Sequence, residues 1–376
     1  MAADGFAAGT RDPSLAGSDR AGIASPVRPA QGLAALTATD LAAVPAEVLA
    51  RLRGARRVMT VCHRDPEADA LGSALALALA LEARGARATP VCSDPVPPMY
   101  DFMPEIGRFR RAPDPDLDYD LIVVGDCGDL ARVGAVLTDH AALFARVPIV
   151  DIDHHRSNTG FGVVDWIDPD AAATCEMETL LVPALGVALT AHDGAIAANL
   201  MAGVVIDTAN FQHPNTTPRT LRVAAELRAA GAPLYEIARR LYRTKPNAQL
   251  HLFGLVLARL ETGLDGRLVW STLQPNDFAE SGAAQSASEG LIDLLAQSES
   301  GEVSILFKDQ GEQTRFSVRT KDGGVDATVL TGTFGGGGHA RAAGATVSLP
   351  IGEARPLVLS EAERLVRAVD RPAVGA

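Results

Sequence analysis

Acidic residues and histidines stand together at four places in this sequence, each where an apolar run ends. These residues are His63, Asp65, Glu67 and Asp69 in "VCHRDPEADALGS", Asp126 in "VVGDCGD", Asp153, His154 and His155 in "IVDIDHHRSNTGFG", and Asp207 in "GVVIDTANF". Crowded carboxylates repel one another and raise each other's pKa, a penalty that divalent cations remove. Imidazole and carboxylate ligands without a thiolate favour manganese or a similar cation over structural zinc. Two such ions about 4 Å apart can hold a phosphoryl group and activate a water molecule.

Other acids and histidines of the chain have simpler interpretations. A single acid at the end of a strand is more often a turn or helix cap than a metal ligand, so we expect Asp129 and Asp165 to be caps or solvated charges. The histidines that lie in helical or loop patterns without acidic clusters are interpreted as structural: His140, His192 and His251. The role of His213 stays open, because this residue follows Asp207 closely and could lie at the rim of the site.

The elements that must position these groups alternate between short apolar runs and helical patterns from Arg56 to Asp207. The apolar runs are "RVMTVCH", "ATPVCSD", "YDLIVVGDCGD" and "ARVPIVDIDHH". Together with a helix expected from Leu71 to about Arg84, they predict a parallel sheet covered by helices. Residues just beyond the carboxyl ends of such strands line the ligand crevice. We therefore expect three of the four groups to converge, with Asp207 joining from a neighbouring segment.

The rest of the chain predicts two domains. Residues 1–36 are rich in Ala, Gly, Ser and Pro and are expected to form a flexible tail, followed by a catalytic domain at 37–243. Helical patterns are expected around 175–205 and 218–243, the latter opened by "NTTPRT". Residues 244–262 predict a connecting helix, and the alternating strands that follow predict a smaller α+β domain at 263–376.

Composition excludes some classes of function. The formal net charge of −12 opposes the wrapping of long nucleic acid, which relies on basic surface. The four cysteines are scattered without a C-x-x-C pair, which favours a reduced cytoplasm over a disulfide framework. The most apolar stretch, "ALGSALALALALEA" from Ala70, is shorter than the roughly 20 residues of a membrane crossing and predicts a buried helix.

The four motifs, in this order, resemble those of the DHH phosphoesterase superfamily. They are "HRDPEADALGS", "GDCGD", "DHHRSNTGFG" and "IDTANF", and the later "GTFGGGGHARAAG" resembles the signature of the DHH-associated C-terminal domain. The resemblance spans about residues 56–346. It implies an α/β catalytic domain with a mostly parallel sheet, then a smaller α+β substrate-binding domain, with the active site in the cleft between them.

The resemblance also implies roles for the clustered residues. One divalent metal ion would be held by His63, Glu67 and Asp126, and a second by Asp69, Asp126, His154 and Asp207, with Asp126 bridging. Asp153 would orient a site histidine, and His155 would face the scissile phosphate. Relatives usually have Asp where this chain has Glu67, and Asp65 is an alternative ligand; we favour Glu67 because its register to Asp69 matches the family pattern.

In the second domain the resemblance implies a phosphate-binding surface. Backbone N–H groups of Gly336, Gly337 and Gly338 would approach an anion. His339 would contact a phosphate or a base, and Arg319 would hold the terminal phosphate. Further residues have no assigned role: Arg315 and Lys321 are less specific, and Asn210 and Gln212 stand where relatives more often have a Gly-Ser pair and a basic residue.

The two-domain layout is similar to that of bifunctional oligoribonucleases that also act as 3'-phosphoadenosine 5'-phosphate phosphatases. This implies hydrolysis of short oligoribonucleotides or dinucleotides to mononucleotides, and of the bisphosphate to AMP. The implied cofactors are two divalent ions, Mn²⁺ first, with Mg²⁺ or Co²⁺ as alternatives, and the implied assembly is a homodimer. Two alternatives stay open: a RecJ-like exonuclease on single strands, and a nucleotide-binding sensor weakened by Glu67.

Overall fold

The chain divides between Arg243 and Thr244 into two compact units. The structure, a computed structural model, describes residues 36–321 and 323–369. The predicted tail at 1–36 therefore lies outside the described residues apart from its last residue.

The first unit is built on a five-stranded parallel sheet with the strand order β2-β1-β3-β4-β5. Its strands are β1 (Arg57–Val61), β2 (Arg87–Val91), β3 (Leu121–Gly125), β4 (Ile149–Asp153) and β5 (Val164–Ile167). Every residue of β3 and β4 is buried, as expected for strands covered by helices on both faces. The parallel sheet is confirmed, and it brings the carboxyl ends of β1, β3 and β4 side by side.

Nine α-helices among the described residues belong to the first unit. They are α1 (Ala38–Ala42), α2 (Ala46–Gly54), α3 (Ala68–Ala83), α4 (Ala135–Asp139), α5 (Ala141–Arg146), α6 (Thr174–Ala184), α7 (Ala195–Asp207), α8 (Pro218–Ala229) and α9 (Leu234–Ala238). A five-residue π-helical segment, Arg239–Arg243, follows α9. Thr217 caps α8 by accepting from the Thr220 amide, and Pro218 takes the first helical position, as "NTTPRT" predicts.

Helix α3 carries the most apolar stretch and is buried from Ala68 to Leu81. It begins at Ala68 rather than at Leu71 because the Glu67 side chain caps it, accepting from the Ala70 amide at 2.9 Å. The prediction of a buried helix is confirmed. None of the helices in the described ranges combines the length and the apolar character that a membrane crossing needs.

The second unit is a six-stranded mixed sheet with the strand order β10-β11-β9-β8-β7-β6, in which β7 and β8 are parallel. Its elements are α10 (Asn247–Leu257), β6 (Glu261–Gly263), β7 (Leu268–Leu273), α11 (Pro275–Ser281), α12 (Leu291–Leu295), β8 (Val303–Asp309), β9 (Thr314–Thr320), α13 (Ala327–Gly332), β10 (Gly337–His339), β11 (Ala342–Val347) and α14 (Ile351–Val369). The predicted α+β class is confirmed. The helix predicted at 244–262 is shorter, because Glu261–Gly263 pairs with β7 as an edge strand.

Two apolar cores lie on the two faces of this sheet. Phe307 and Phe316 pack with α13 and α14 on one face, where Leu330 and Val358 are fully buried. On the other face, Leu306 packs with residues of α10, α11 and α12. The sheet is therefore covered by helices on both faces.

Candidate active site

His63 follows β1 and turns one ring nitrogen toward two acids. Its Nδ1 lies 2.6 Å from the Arg64 carbonyl oxygen, which places the proton on Nδ1. The other nitrogen, Nε2, lies 3.2 Å from Glu67 Oε2 and 3.5 Å from Asp126 Oδ2. Asp65 is exposed and has a left-handed backbone (φ 54°). Of the two acids weighed at this motif, Glu67 is therefore the one beside His63.

Asp126 follows β3 and divides its two oxygens between two histidines. Oδ2 faces His63, whereas Oδ1 lies 3.4 Å from Nε2 of His154. The residue is buried and has a left-handed backbone (φ 55°), a conformation in which non-glycine residues are uncommon. The Thr174 hydroxyl donates to Oδ1 at 3.3 Å. This arrangement suits a carboxylate that bridges two cations.

Asp69, His154 and Asp207 form a second group whose ligand atoms all lie within 4.8 Å of one another. Nε2 of His154 is 3.2 Å from Asp207 Oδ2, and Asp207 is the last residue of α7. Asp69 lies in the first turn of α3, where its two oxygens accept from the amides of Thr174 at 2.7 Å and Cys175 at 2.9 Å. The N-terminus of α6 thus fixes the Asp69 carboxylate.

The electrostatics of these groups fit divalent cations. Burial, with repulsion from Asp207, raises the pKa of Asp69 to about 7. Burial and the charge of Asp69 raise the pKa of Asp126 to about 6. Although burial opposes the charged imidazole, the adjacent carboxylates of Asp126 and Asp207 raise the pKa of His154 to about 12. These shifts describe an excess of buried negative charge, which a cation relieves.

One atom of the cluster supports the fit independently. Nε2 of His154 is buried and has no hydrogen-bond partner with acceptable geometry within residues 36–321 and 323–369, although two carboxylates lie near it. The surroundings of His63 also favour a positive charge. Burial lowers the pKa of His63, but hydrogen bonds with Asp126 and Glu67 outweigh burial and raise this pKa to about 10. Neutral imidazole and carboxylate oxygens are a donor set typical of manganese and similar ions.

His155 is held by Asp153 at the end of β4. Its Nδ1 lies 2.7 Å from Asp153 Oδ1, and the second oxygen of Asp153 accepts from the Asn158 side chain at 2.7 Å. The hydrogen bond to Asp153 raises the pKa of His155. The ring is 36% exposed, whereas Asp153 is fully buried. The arrangement places one proton on Nδ1 of His155 and leaves Nε2 unengaged by Asp153, so Nε2 accepts in the neutral ring and donates in the imidazolium form.

In the second unit, Arg319 and His339 lie on one row of the sheet. Ala342 of β11 pairs with Arg319 of β9 on one side and with His339 of β10 on the other. Residues directly opposite one another share a face of the sheet, so the two side chains stand two strands apart, about 10 Å. Arg319 Nε also donates to Asp293 at 2.7 Å, an exposed pair.

Packing within the second unit explains why two of the glycines before His339 lack a side chain. A Cβ at Gly336 would overlap the Gly344 carbonyl oxygen, and one at Gly338 would overlap the Ala342 carbonyl oxygen. The Gly336 amide donates to the Thr331 carbonyl at 2.9 Å, so it is used within this unit. At Gly337 a Cβ would meet nothing within 4 Å, which leaves room for a ligand there.

Sequence reasoning missed several positioning groups. Asn158 supports Asp153, and the amides of Thr174 and Cys175 hold Asp69. Asn158 stands in the quoted "HHRSN", but nothing in that string indicates its partner. We expect caps at Asp129 and Asp165: Asp129 accepts from the Ala131 amide in a 3-10 turn, and Asp165 accepts from the Gly162 amide. His213, whose role stays open, has its Nδ1 3.4 Å from the Asp207 carbonyl oxygen. Lys321 donates to the Ser298 and Glu299 carbonyls. In the described ranges, the candidate metal groups include none of His140, His192 and His251.

Comparison with known proteins gives two family matches and several relatives. Residues 57–205 match the DHH family, N-terminal domain, and residues 265–368 match the DHHA1 domain. The "Bifunctional oligoribonuclease and PAP phosphatase NrnA" of Thermus thermophilus is 35% identical over 86% of this chain and 94% of the relative. The protein of the same name from Bacillus subtilis is 28% identical over 60% of this chain and 70% of the relative.

A solved structure shows the same fold. The exopolyphosphatase-related protein of Bacteroides fragilis superposes with a TM-score of 0.76, covering 89% of this chain and all of that protein at 20% identity. At this level of identity the likeness concerns the fold alone.

Proposed function

We propose that this chain, which belongs to the DHH family of phosphoesterases, hydrolyses short oligoribonucleotides or dinucleotides to mononucleotides and 3'-phosphoadenosine 5'-phosphate to AMP. The family is supported by the Thermus thermophilus relative, of whose length 94% is covered at 35% identity. That relative and the Bacillus subtilis relative share a name that combines these two activities. The observation that carries the proposal is Asp126, whose two oxygens face two different histidines.

DHH phosphoesterases use divalent metal ions, and the acidic clusters described above are arranged as such sites require. We assign His63, Glu67 and Asp126 to one ion, and Asp69, Asp126, His154 and Asp207 to the other. When bound, two such ions supply Lewis acidity, lower the pKa of the attacking water and stabilise charge on the transferring phosphoryl group. We favour Mn²⁺, with Mg²⁺ and Co²⁺ as alternatives, because imidazole and carboxylate are mixed without thiolate.

His155 is assigned the contact with the scissile phosphate. Although burial opposes ionisation, hydrogen bonds from His155 and Asn158 keep the pKa of Asp153 below its usual value. The Asp153 carboxylate therefore favours the imidazolium form of His155, with Nε2–H free to donate to a phosphate oxygen. Asp153 is a positioning residue in this scheme, since it acts through His155.

The second unit is assigned the recognition of the substrate. Arg319 and His339 share one face of its sheet and offer cationic or donor groups to phosphate, and the Gly336–Gly338 segment provides an approachable backbone at Gly337. Arg319 would exchange its exposed partner Asp293 for the ligand, a substitution that costs little because exposed ion pairs are weak. These few positively charged side chains allow a protein with a net charge of −12 to bind an anionic substrate locally.

Turnover by the purified chain with Mn²⁺ tests this function. The substrates compared are a di- to pentaribonucleotide series, 3'-phosphoadenosine 5'-phosphate, pyrophosphate and a long single strand. Asp126→Asn is the inactive variant, and Asp129→Asn is the matched control, because Asp129 is a neighbouring acid that caps a turn. We expect the wild type and Asp129→Asn to hydrolyse the short RNAs and the bisphosphate, and Asp126→Asn to hydrolyse neither.

Other outcomes identify the alternatives. Preference for the long strand would indicate a RecJ-like exonuclease. Nucleotide binding without turnover would indicate a sensor. The intact contact between His63 and Glu67 at 3.2 Å speaks against the sensor, because the longer side chain still reaches the cluster.

Three finer parts of the proposal need separate measurements. We propose the cytoplasm as the compartment because all four cysteines are free and buried. We propose a homodimer, which light scattering on the full chain tests. The domain limits at 37–243, 244–262 and 263–376 remain predictions.

A further inference from the structure

The second unit contains a cavity that the proposed reaction does not use. It has a volume of about 240 Å³ and lies between the end of β7 and the start of α14, where it is lined by Arg259, Glu261, Thr272, Gln274, Gly352 and Arg355. In the strand order of the sheet, β7 is four strands away from β10, which carries His339. At about 4.8 Å per strand this is roughly 19 Å. Arg319 of β9 is only two strands away, about 10 Å, but it alternates with Val318, which packs in the core beside α14. Arg319 therefore points to the opposite face of the sheet, and the cavity beside α14 is distinct from the surface assigned to the substrate.

Thr272, one of the residues that line this cavity, carries a buried hydroxyl without a partner among the described residues. Thr272 is 7% exposed, and its Oγ1 has no hydrogen-bond partner in the described part of the chain. Trp270, two residues earlier on the same face of β7, has a buried Nε1 in the same condition. A buried polar atom left unpaired costs about 1–3 kcal/mol, so such atoms are normally satisfied by water or a ligand.

One of the two arginines at the cavity is fixed and neutralised. Arg259 pairs with Asp277 through two nitrogens and donates to the Thr272 carbonyl at 3.2 Å. Its charge is therefore balanced within the wall of the cavity.

The second arginine is available for exchange. Arg355 Nη1 lies 3.3 Å from Glu261 Oε1, and the two side chains are 40% and 52% exposed. An exposed pair of this kind contributes between 0 and about 1 kcal/mol. An anion that enters the cavity can replace Glu261 at Arg355 at little cost.

The N-terminus of α14 supplies donors to the same space. This helix runs from Ile351 to Val369, and its Glu353 and Ala354 amides donate to the Pro350 carbonyl. The amides of Ile351 and Gly352 precede these bonds, and a Cβ at Gly352 would meet nothing within 4 Å. An approachable backbone at the positive end of a long helix favours an anion.

We propose that this cavity binds the phosphate group of a small molecule, at a site separate from the reacting substrate. The donors are the Thr272 hydroxyl, the Arg355 guanidinium and the first amides of α14, which suit the several terminal oxygens of a phosphate. The volume of about 240 Å³ is below the 300–1,000 Å³ typical of sites that enclose a whole drug-sized ligand. The site therefore takes inorganic phosphate or the phosphate end of a nucleoside monophosphate, not a dinucleotide.

Calorimetric titration of the full chain tests this site independently of catalysis. The titrations use Asp126→Asn protein in a chelator, so that the acidic clusters hold no metal, and compare inorganic phosphate, AMP and adenosine. Two variants weaken the site, Arg355→Gln and Thr272→Val, and two are matched controls, Arg364→Gln on the same helix and Thr262→Val on β6. Arg364 pairs with Glu361 and lies outside the lining of the cavity.

We expect phosphate or AMP to bind the cavity at one per chain, as a saturable component that the cavity variants weaken, and adenosine not to bind there. Each cavity variant should weaken binding about tenfold or more, as expected for a lost hydrogen bond to a charged group, while the controls stay within about twofold. If both phosphate and AMP bind, a phosphate group is sufficient for recognition by the cavity. If only AMP binds, the ligand of the cavity is a phosphomonoester. Glu261→Gln should tighten binding, because it removes the competing carboxylate from Arg355; a misfolded variant cannot produce this gain.

The proposal is overturned by any of three results. These are the absence of saturable binding by both anions, equal affinities in the cavity and control variants, and unchanged or weaker binding in Glu261→Gln. The proposed hydrolysis of short RNAs would be unaffected by each of these results, because it is measured on protein with Asp126 intact.

Discussion

Gly203 of α7 is the position where a single added methyl group should impair both folding and catalysis. A Cβ at Gly203 would overlap Oδ1 of Asp69 and Sγ of Cys175, and it would lie 2.8 Å from Cys175 Cβ. Both neighbours are fully buried, and the Asp69 oxygens are already tied to the amides of Thr174 and Cys175. The Asp69 carboxylate cannot move without breaking these bonds, and the Cys175 sulfur lies 3.5 Å from the Asp69 carbonyl oxygen.

We therefore expect Gly203→Ala to act on both stability and activity. Overpacking of a filled core costs about 1–3 kcal/mol of unfolding free energy. Displacement of a proposed metal ligand by about 1 Å should lower kcat/KM on a dinucleotide at least about 100-fold. Urea unfolding, a Mn²⁺ titration and steady-state kinetics measure the three effects on one preparation.

A second substitution separates the two overlaps. Cys175→Ala in the Gly203→Ala chain removes the overlap with sulfur but leaves the overlap with Asp69. Part of the lost stability should return, while kcat/KM should stay low. Gly254→Ala in α10 is the control, because a Cβ there would meet nothing within 4 Å. If Gly203→Ala binds Mn²⁺ and turns over like the wild type, the packing around Asp69 does not position a ligand and the reasoning is refuted.

Three further predictions concern single acids. Asp153→Asn should lower kcat about 10–100-fold with Mn²⁺ still bound, and because Asp153 raises the pKa of His155, the alkaline limb of the pH–rate profile should move to lower pH. Asp151 is fully buried, its two oxygens have no hydrogen-bond partner among the described residues, and burial raises its pKa to about 7. Stability is therefore lost as pH rises from about 4, where the unfolded chain ionises, to about 7, where the folded chain does. Asp151→Asn should gain about 4 kcal/mol relative to the wild type between pH 4 and pH 8, measured by urea unfolding with Trp166 fluorescence in a Trp270→Phe chain. Glu67→Gln keeps an oxygen to cap α3 but loses the charge facing His63, so Mn²⁺ affinity should fall at least about tenfold at an unchanged melting temperature.

The sheet and the convergence of the acids could be predicted because both follow from local rules. Runs such as "LIVVG" indicate buried parallel strands, and the carboxyl ends of such strands meet at one edge. The sequence alone therefore predicts that His63, Asp126 and Asp153 lie together. The position of Asp207 could not be predicted by this rule, because Asp207 ends helix α7 rather than a strand. Its distance from His154 depends on how α7 packs.

The supports of the site could not be predicted, since they depend on packing between distant segments. Asp69 is held by amides of α6, more than a hundred positions along the chain. No residue type in "AAATCE" indicates that contact, because any residue there would donate the same amide. The cavity in the second unit arises similarly, where Thr272 of β7 meets α14. The early start of α3 was predictable in principle, because Glu67 is three residues before the amide of Ala70 that it caps.

The central claim is that Asp126 serves two metal ions at once, and the number of Mn²⁺ ions bound per chain tests it most directly. Equilibrium dialysis compares the wild type, Asp126→Asn and the matched control Asp129→Asn. We predict two ions on the wild type and on Asp129→Asn, and the weakening of both ions together in Asp126→Asn, because its two oxygens face His63 and His154. Loss of a single ion in Asp126→Asn, or of none, would contradict the claim.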